Sequence, residues 1–508
     1  MELKPPLLIR ADASVSIGTG HIMRMIALGQ AWQAQGGEVH FLCAEITPAL
    51  EQRLASEGFH LLRIDATLGS PEDLSETMHL IAETLQADRK NARVVLDGYH
   101  FGSDYQLGIK TAGFKLLVVD DYGHADFYHA DWVLNQNISA REELYAKRSP
   151  DTKLLLGPKF VMLRKEFLAY KGWQREIAPV AKKILVTLGG SDPDNVTLKV
   201  IQALIDLDLH VKVVIGGSNP HLREIENFIQ SQNNSAALIE VIVNATNMPE
   251  LMAWADVAVA AAGSTCWELA CAAVPILLFI SAPNQFAVAQ KLEKLKLAEV
   301  IGWHHNFSKF DFTLKVESFL SDFENRKKMA EVLSKVVDGR GAENVVLTIQ
   351  DALRFRQATK DDMRLIWEWV NDPQVRESAF NSSLIAWENH QTWFNQILDD
   401  ADARIFIVTD SNNNPVAQLR MEGVGQTALI DISIARKMRG NGLSVNILKK
   451  GLRLLFENPK WMIAEAWIKK TNKPSLSAFM RAGFACIGEK VVNNQIAVGY
   501  CFKRYDFR

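Results

Sequence analysis

The stretch RADASVSIGTGHIMRMIALGQAW, which starts at Arg10, places Gly18 and Gly20 either side of a threonine. His21 follows at once, with Arg24 three residues later. A histidine with an ordinary pKa of about 6.5 is largely neutral near pH 7, so a positioned imidazole suits the removal of a proton from a weak nucleophile such as water. The glycines let the chain turn sharply and let a ligand approach the backbone. The apolar run LLIRA before the loop reads as a buried strand, and IMRMIALGQAW after it as an amphipathic helix. His21 is therefore aimed at whatever the loop binds.

Further glycine turns recur downstream. Gly189 and Gly190 in VTLGGSDPDN, Gly216 and Gly217 in VVIGGSNP, and Gly263 in VAAAGSTCWE each follow an apolar run and precede a helical stretch. Backbone N–H groups left free at such turns attract phosphate, as does the dipole of the following helix. In AAGSTCWE, Gly263 admits the ligand and Ser264 and Thr265 offer hydroxyls. Glu268, one turn into the helix, would repel phosphate at contact distance but suits the hydrogen bonds of a ribose diol. These residue types point to a nucleotide rather than a bare phosphate.

The elements that must position these groups alternate. LLIRAD, EVHFLCAE, HLLRID, RVVLDGY, KLLVVDD and DWVLNQN are predicted strands separated by helical patterns. The pattern restarts after LLGPKFVMLRKEF with KKILVTLGG, VKVVIGG, ALIEVIV, DVAVAAAG and PILLFI. Strand–helix alternation implies parallel sheets with ligands at the carboxyl ends of the strands, here in a cleft between two doubly wound domains. Near Asp338 the character changes. LRFRQA reads as a strand and TKDDMRLIWEWVND as a helix capped by Thr359. RIFIVTD, PVAQLRME and TALIDISIA read as antiparallel strands, with a turn at Asn413 and Asn414. The boundaries expected are 1–170, 171–351 and 352–508, an α/β chain of two Rossmann-like domains followed by an α+β domain.

The bulk composition narrows the partners. A 508-residue chain with 23% charged residues and a formal net charge of -3 has no basic footprint for nucleic acid or an anionic membrane. The opening MELKPPLLIRAD carries charge and two prolines where a secretory core would be, and VAVAAAGSTCWELACAAVPILLFI is interrupted by Gly263, Glu268 and Pro275. It reads as strand, helix and strand. Cys43, Cys266, Cys271, Cys486 and Cys501 are scattered and odd in number, which suits reduced thiols in the cytoplasm. Cys266 and Cys271 lack partners at zinc-site spacing, and His124 and His129 of HADFYH lack a third ligand and read as surface residues.

RADASVSIGTGHIMR, LDGY, GPKFVMLRKEF, LGGSDPDN, AAGSTCWE and SAPNQ, in this order, resemble the UDP-2,4-diacetamido-2,4,6-trideoxy-β-L-altropyranose hydrolases of pseudaminic acid biosynthesis. That resemblance implies a GT-B arrangement of the first two domains and metal-independent cleavage of UDP from the anomeric carbon by water, with inversion. It makes His21 the base, and a positioned base contributes about 10²–10⁴-fold. Asp12 is then a candidate to orient His21 or a sugar hydroxyl, with a strand-end cap as its other reading. Tyr99 bonds or stacks on the sugar, and Asp97 braces the loop. Gly18 and Gly20 shape the loop, and Arg164 resembles the family's substrate-binding arginine, with a domain-linking salt bridge as the alternative. Ser264, Glu268, Asn284 and Gln285 fall on the nucleotide side. A glycosyltransferase using the same cleft is the nearest rival.

In the last domain, ISIARKMRGNGLSVNILKKGLRLL and AWIKKTNKPSLSAFMRAGF together resemble the GNAT N-acetyltransferases. The resemblance implies that Arg439, Gly440, Asn441, Gly442 and Leu443 cradle the pyrophosphate of acetyl-CoA, with Lys437 keeping a positive charge nearby. It sets Asn472 on the pantetheine side. Phe479 stands where many relatives carry an acid tyrosine, and Glu422 is a candidate base for the amine. The fusion implies that the last domain acetylates the 4-amino UDP-sugar that the first two then hydrolyse; a silent acetyl-CoA-binding module is the alternative. No metal, nucleic acid or membrane insertion is expected.

Overall fold

The computed structural model describes residues 5–85, 92–232, 235–350, 353–410, 413–440 and 443–506. The chain forms two compact units, Met1–Ile349 and Gln350–Arg508.

The first unit holds two parallel sheets. In one, β1 (Leu7–Ala11), β2 (Val39–Cys43), β3 (His60–Arg63), β4 (Arg93–Asp97), β5 (Lys115–Val119), β6 (Trp132–Asn135) and β7 (Lys153–Leu156) lie in the order β3-β2-β1-β4-β5-β6-β7. In the other, β8 (Lys183–Thr187), β9 (His210–Ile215), β10 (Leu238–Val243), β11 (Val257–Ala261), β12 (Ile276–Ile280) and β13 (Glu299–Trp303) lie in the order β10-β9-β8-β11-β12-β13. β1, β11 and β12 are buried at every position, which requires helices on both faces and explains their unbroken apolar runs. VAVAAAGSTCWELACAAVPILLFI is strand, helix and strand, as its breaks imply. Among the described residues no helix is long and apolar enough to cross a membrane.

Two strands of the first unit escaped the sequence reading, and both are sheet edges; in the second unit the strands Ala485–Val492 and Gln495–Lys503 escaped it as well. β7 has a single buried residue, and β13 is half-buried throughout with a register shift opposite Leu278 and Phe279. The helix Gly341–Ile349 also departs from expectation. It falls in the range assigned to the second domain, yet Ala342, Val345, Val346 and Ile349 pack in the core of the first sheet with Ile22, Met25 and Ile26. A side chain at Gly341 would collide with the Val161 backbone. The segment entering the second half, with Val161, Leu163 and Phe167, packs in the core of the second sheet.

The second unit is one seven-stranded sheet. β14 (Arg354–Gln357), β15 (Ala403–Thr409), β16 (Pro415–Val424), β17 (Thr427–Ile434), β18 (Ile463–Lys469), β19 (Ala485–Val492) and β20 (Gln495–Lys503) take the order β14-β15-β16-β17-β18-β20-β19. Thr359 and Asp362 form the expected capping box, and Asn413 takes a left-handed conformation in the β15–β16 turn. β17 and β18 are the parallel pair. They are in register only from Thr427–Leu429 to Ile463–Glu465, and then part while each continues.

A buried ion cluster ties the first sheet together. Arg10, on β1, donates to Asp73 through Nε (3.1 Å) and Nη2 (2.8 Å), and to Asp12 through Nη1 (2.5 Å). Tyr105 and the Gly69 N–H also donate to Asp73, each at 2.8 Å. Burial alone would raise both carboxyls; for Asp73 the Arg10 pair and its donors outweigh it, for Asp12 the His100 bond and Arg10 do, and both end below the usual range. Their stabilising contribution is present above the unfolded pKa of about 3.9 and is lost as pH falls through the lowered folded values. Asp73→Asn is expected to cost about 3–5 kcal/mol at pH 7. Urea unfolding at pH 7 and at pH 3 should show that deficit shrinking in acid.

Candidate active site

Each parallel sheet reverses its strand order once, between β1 and β4 in the first and between β8 and β11 in the second. The loops after these strands lie at the usual place for a ligand in an open α/β sheet. The loop after β1 closes with Gly18 N–H donating to Ser14 O (2.8 Å), and Gly18 sits at φ +81°, a left-handed conformation. The helix Gly20–Gln33 starts directly, so His21 lies in its first turn and Arg24 one turn on, on the same face.

β4 ends at Asp97, whose carboxylate is fully buried. His21 Nδ1 stands 2.7 Å from Asp97 Oδ1. A carboxylate accepts, so Nδ1 carries the proton, and in the neutral imidazole the lone pair is then on Nε2. Arg24 donates to Asp97 through Nε (2.7 Å) and Nη2 (2.5 Å), and through Nη1 to both oxygens of Asp121 (2.9 and 3.0 Å). Tyr99 OH donates to Asp121 Oδ2 at 2.6 Å and accepts from Asn284 Nδ2 at 3.0 Å; Asn137 Nδ2 donates to Asp121 Oδ1 at 2.7 Å. The Tyr99 ring meets the His21 imidazole edge-on at 5.1 Å. Burial would raise the carboxyls of Asp97 and Asp121, but Arg24 and their other donors hold both below the usual carboxylate range. Burial and then Asp121 push the Tyr99 hydroxyl up, so it stays protonated.

This geometry corrects the role of Asp12. Its Oδ1 accepts from the N–H groups of Ala44 and Glu45 (2.8 and 2.9 Å), and its Oδ2 meets Arg10 and His100. Asp12 is a strand-end brace, and Asp97 is the partner of His21. Sequence reasoning missed that role of Asp97, and missed Asp121 altogether. The doubled acid of LLVVDD, at the end of a predicted strand, was the signal available. His124 is also corrected. Its side chain is 4% exposed, not on the surface, and its Nδ1 lies 3.1 Å from Asp120. Among the described residues no three His, Cys, Asp or Glu side chains are grouped to hold a metal ion.

The second half meets the first at the same place. A Cβ on Gly20 would lie 3.7 Å from Ser264 Oγ, and one on Gly190 would lie 2.4 Å from Thr19 Oγ1, so the loops of the two switch points touch. Gly216 is needed because a Cβ there would strike Gly190 O. These two glycines are thus explained by packing. Arg164 Nη1 donates to Glu268 Oε1 (2.7 Å) and Nε to Glu166 (2.8 Å). Arg164 and Glu268, each expected as a ligand contact, are partners in a salt bridge between the halves, which was the alternative reading for Arg164. Burial raises the Glu268 carboxyl against the opposing pull of Arg164. Gln285 Oε1 accepts from Ser281 N–H at 2.8 Å. His21, Gly20, Ser264, Tyr99 and Asn284 therefore converge, with Gly18 shaping the loop and Asp12 set to one side.

In the second unit, a short turn after β17 carries Arg439, whose Nη1 donates to Asp372 (2.7 Å) and Gln374 (2.8 Å), and Gly440 at φ +79°. Asn441 and Gly442 lie outside the described residues. Leu443 is buried at the start of the helix Leu443–Glu457. Asn472 caps the helix Lys473–Arg481 by accepting from Ser475 N–H (3.2 Å). Phe479 is buried against Phe484 and Tyr500, and Glu422 pairs with Arg420 at 3.0 Å.

Comparison with known proteins adds five findings. Residues 184–335 match the glycosyltransferase family 28 C-terminal domain, and residues 352–485 match the acetyltransferase (GNAT) domain. An uncharacterised protein of Methanocaldococcus jannaschii is 22% identical over 82% of this chain and 83% of its own length. The UDP-2,4-diacetamido-2,4,6-trideoxy-beta-L-altropyranose hydrolase of Campylobacter jejuni is 27% identical over 48% of this chain and 81% of its own. The spermidine N-acetyltransferase of Vibrio cholerae, solved with CoA and spermine, aligns with 31% of this chain and 98% of its own at 17% identity and a TM-score of 0.29. The chain is an enzyme with a GNAT acetyltransferase domain at its C-terminus, and over part of its length it is a homologue of a protein named as a UDP-2,4-diacetamido-2,4,6-trideoxy-beta-L-altropyranose hydrolase.

Proposed function

We propose that the first unit hydrolyses UDP-2,4-diacetamido-2,4,6-trideoxy-β-L-altropyranose and that the second prepares this substrate by acetylating the 4-amino UDP-sugar with acetyl-CoA. The observation that carries the first half is the His21–Asp97 pair at one switch point, facing the Ser264 loop of the other. UDP sits across the two switch points in a GT-B arrangement, with Ser264, Asn284 and Gln285 on its side of the crevice. Asp97 fixes the imidazole so that Nε2 accepts a proton from water. The water oxygen bonds to the anomeric carbon as the bond from that carbon to the diphosphate oxygen breaks on the opposite face, which inverts the centre. The electron pair leaves with UDP. The dyad supplies the base, so the scheme draws on no metal.

The parting of β17 and β18 leaves room for the pantetheine arm of acetyl-CoA, and Arg439, Gly440 and Leu443, with Asn441 and Gly442 between them in the sequence, are the residues assigned to its pyrophosphate. The amine nitrogen attacks the thioester carbonyl, the carbon–sulfur bond breaks, and the CoA thiolate takes up the proton. Five unpaired cysteines, three of them buried, suit a reducing, cytoplasmic setting.

His21→Ala should abolish UDP release while UDP still binds in a calorimetric titration; turnover at the wild-type rate would remove His21 as the base. Asp97→Asn should lower kcat by about 10²–10⁴-fold, because the wrong tautomer is then favoured. Release of free sugar without an acceptor supports hydrolysis, whereas dependence on an added acceptor supports the glycosyltransferase reading. Gly440→Trp should block acetyl-CoA binding and leave hydrolysis of pre-acetylated substrate intact. Mass spectrometry of products from the 4-amino UDP-sugar and acetyl-CoA tests the sequence of steps. Binding without acetylation would favour a silent module, a reading to which the hydrocarbon ring of Phe479 lends weight.

A further inference from the structure

On the reading just given, we propose that Asp121 is a positioning residue for hydrolysis: it links the nucleotide-side half to His21 and supplies the negative charge that offsets the imidazolium formed during the reaction. One unbroken chain of hydrogen bonds carries the link. Asn284, from the second half, donates to Tyr99 OH, and Tyr99 donates to Asp121. Arg24 spans Asp121 and Asp97, and Asp97 accepts from His21 Nδ1. Asp121 receives four side-chain donor contacts, two from Arg24, one from Tyr99 and one from Asn137, so its carboxylate is held from three directions.

The charge argument is a matter of counting. The groups that face His21 are Asp97 at Nδ1, Arg24 with Nη2 3.3 Å from that nitrogen, and the edge of Tyr99; Asp121 stands behind Arg24, and the Ser264 loop of the second half is uncharged at this contact. Two carboxylates and one guanidinium leave one net negative charge beside a neutral imidazole. When Nε2 takes the proton from water, the cluster becomes neutral. Without the Asp121 charge the cluster starts neutral and must become positive, which a buried site resists. Arg24 alone, shared with Asp97, would merely cancel the carboxylate that orients His21. Asp121 also keeps Arg24 stretched between two strand ends, so that Asp97 retains an oxygen aimed at the imidazole.

Asp121→Asn keeps the shape and removes the charge. Wild type, His21→Ala, Asp121→Asn and Arg24→Lys would be compared for UDP release across pH 5–9, with UDP binding measured by calorimetry. For Asp121→Asn we expect kcat lowered by about 10- to 100-fold, UDP affinity unchanged, and the acid limb of the kcat/KM profile moved to lower pH. The limb moves that way because an imidazolium with less negative charge around it loses its proton more readily. Arg24→Lys keeps the cation but cannot bridge both carboxylates, so kcat should fall without that displacement, and this holds the proposal open to test even if Asp121→Asn does not fold. Wild-type rates in both variants overturn the proposal. So does a loss in Asp121→Asn with the acid limb in place and UDP affinity lost in step, since that is what a merely structural residue would give. If wild type releases no UDP, the hydrolase reading itself has failed, and this inference with it; if wild type is active and His21→Ala is not, the result for Asp121 stands on its own.

Discussion

A buried guanidinium shared by two carboxylates fixes the catalytic face of the first unit. Arg24 is 6% exposed, and the Asp97 side chain it meets is fully buried. Charges so placed are tolerated only when paired and hydrogen-bonded with good geometry. That requirement reaches outward in both directions. Strands β4 and β5 must deliver Asp97 and Asp121 to neighbouring strand ends, and the helix after the β1 loop must start where His21 and Arg24 share a face. The parallel sheet meets both needs, because all its carboxyl ends lie along one edge. A second buried arginine, Arg10, ties β1 to Asp12 and Asp73 behind that edge. The strand ends that carry the site are thus backed by two buried ion clusters rather than by apolar packing alone.

The sequence was most legible where one physical requirement acts locally. Strands buried on both faces must be apolar throughout, so LLIRA, VAVAA and ILLFI could be read directly. Thr359 and Asn413 announced a cap and a turn through their own short-range chemistry. The edge strands β7 and β13 carried no such mark, because half-exposed strands need not be apolar. The helix Gly341–Ile349 looked like the end of the second half because sequence order says nothing of a chain that crosses back.

Polar partnership was the least legible. Asp12 lies nearer to His21 along the chain than Asp97 does, and both end strands. Only the strand order, with β4 beside β1, puts Asp97 next to the imidazole and leaves Asp12 to the loop after β2. For Arg164 a domain-linking salt bridge was one of two readings, but nothing local named Glu268 as the residue it satisfies. Glycines at strand ends likewise have two readings. Gly18 is required by its backbone conformation, whereas Gly190 and Gly216 are required by how closely loops from different strands approach. A residue type proposes several roles, and tertiary neighbours choose among them.

The return of helix Gly341–Ile349 to the first sheet has a mechanical consequence. The two halves of the first unit are joined by a pair of crossings, one outward through Val161 to Phe167 and one homeward through Gly341. A single tether permits swivelling; two side by side permit chiefly a bending motion, like a door on two hinges. A protease cut in the outward crossing would therefore leave the pieces clasped together, because the homeward helix remains lodged in its groove.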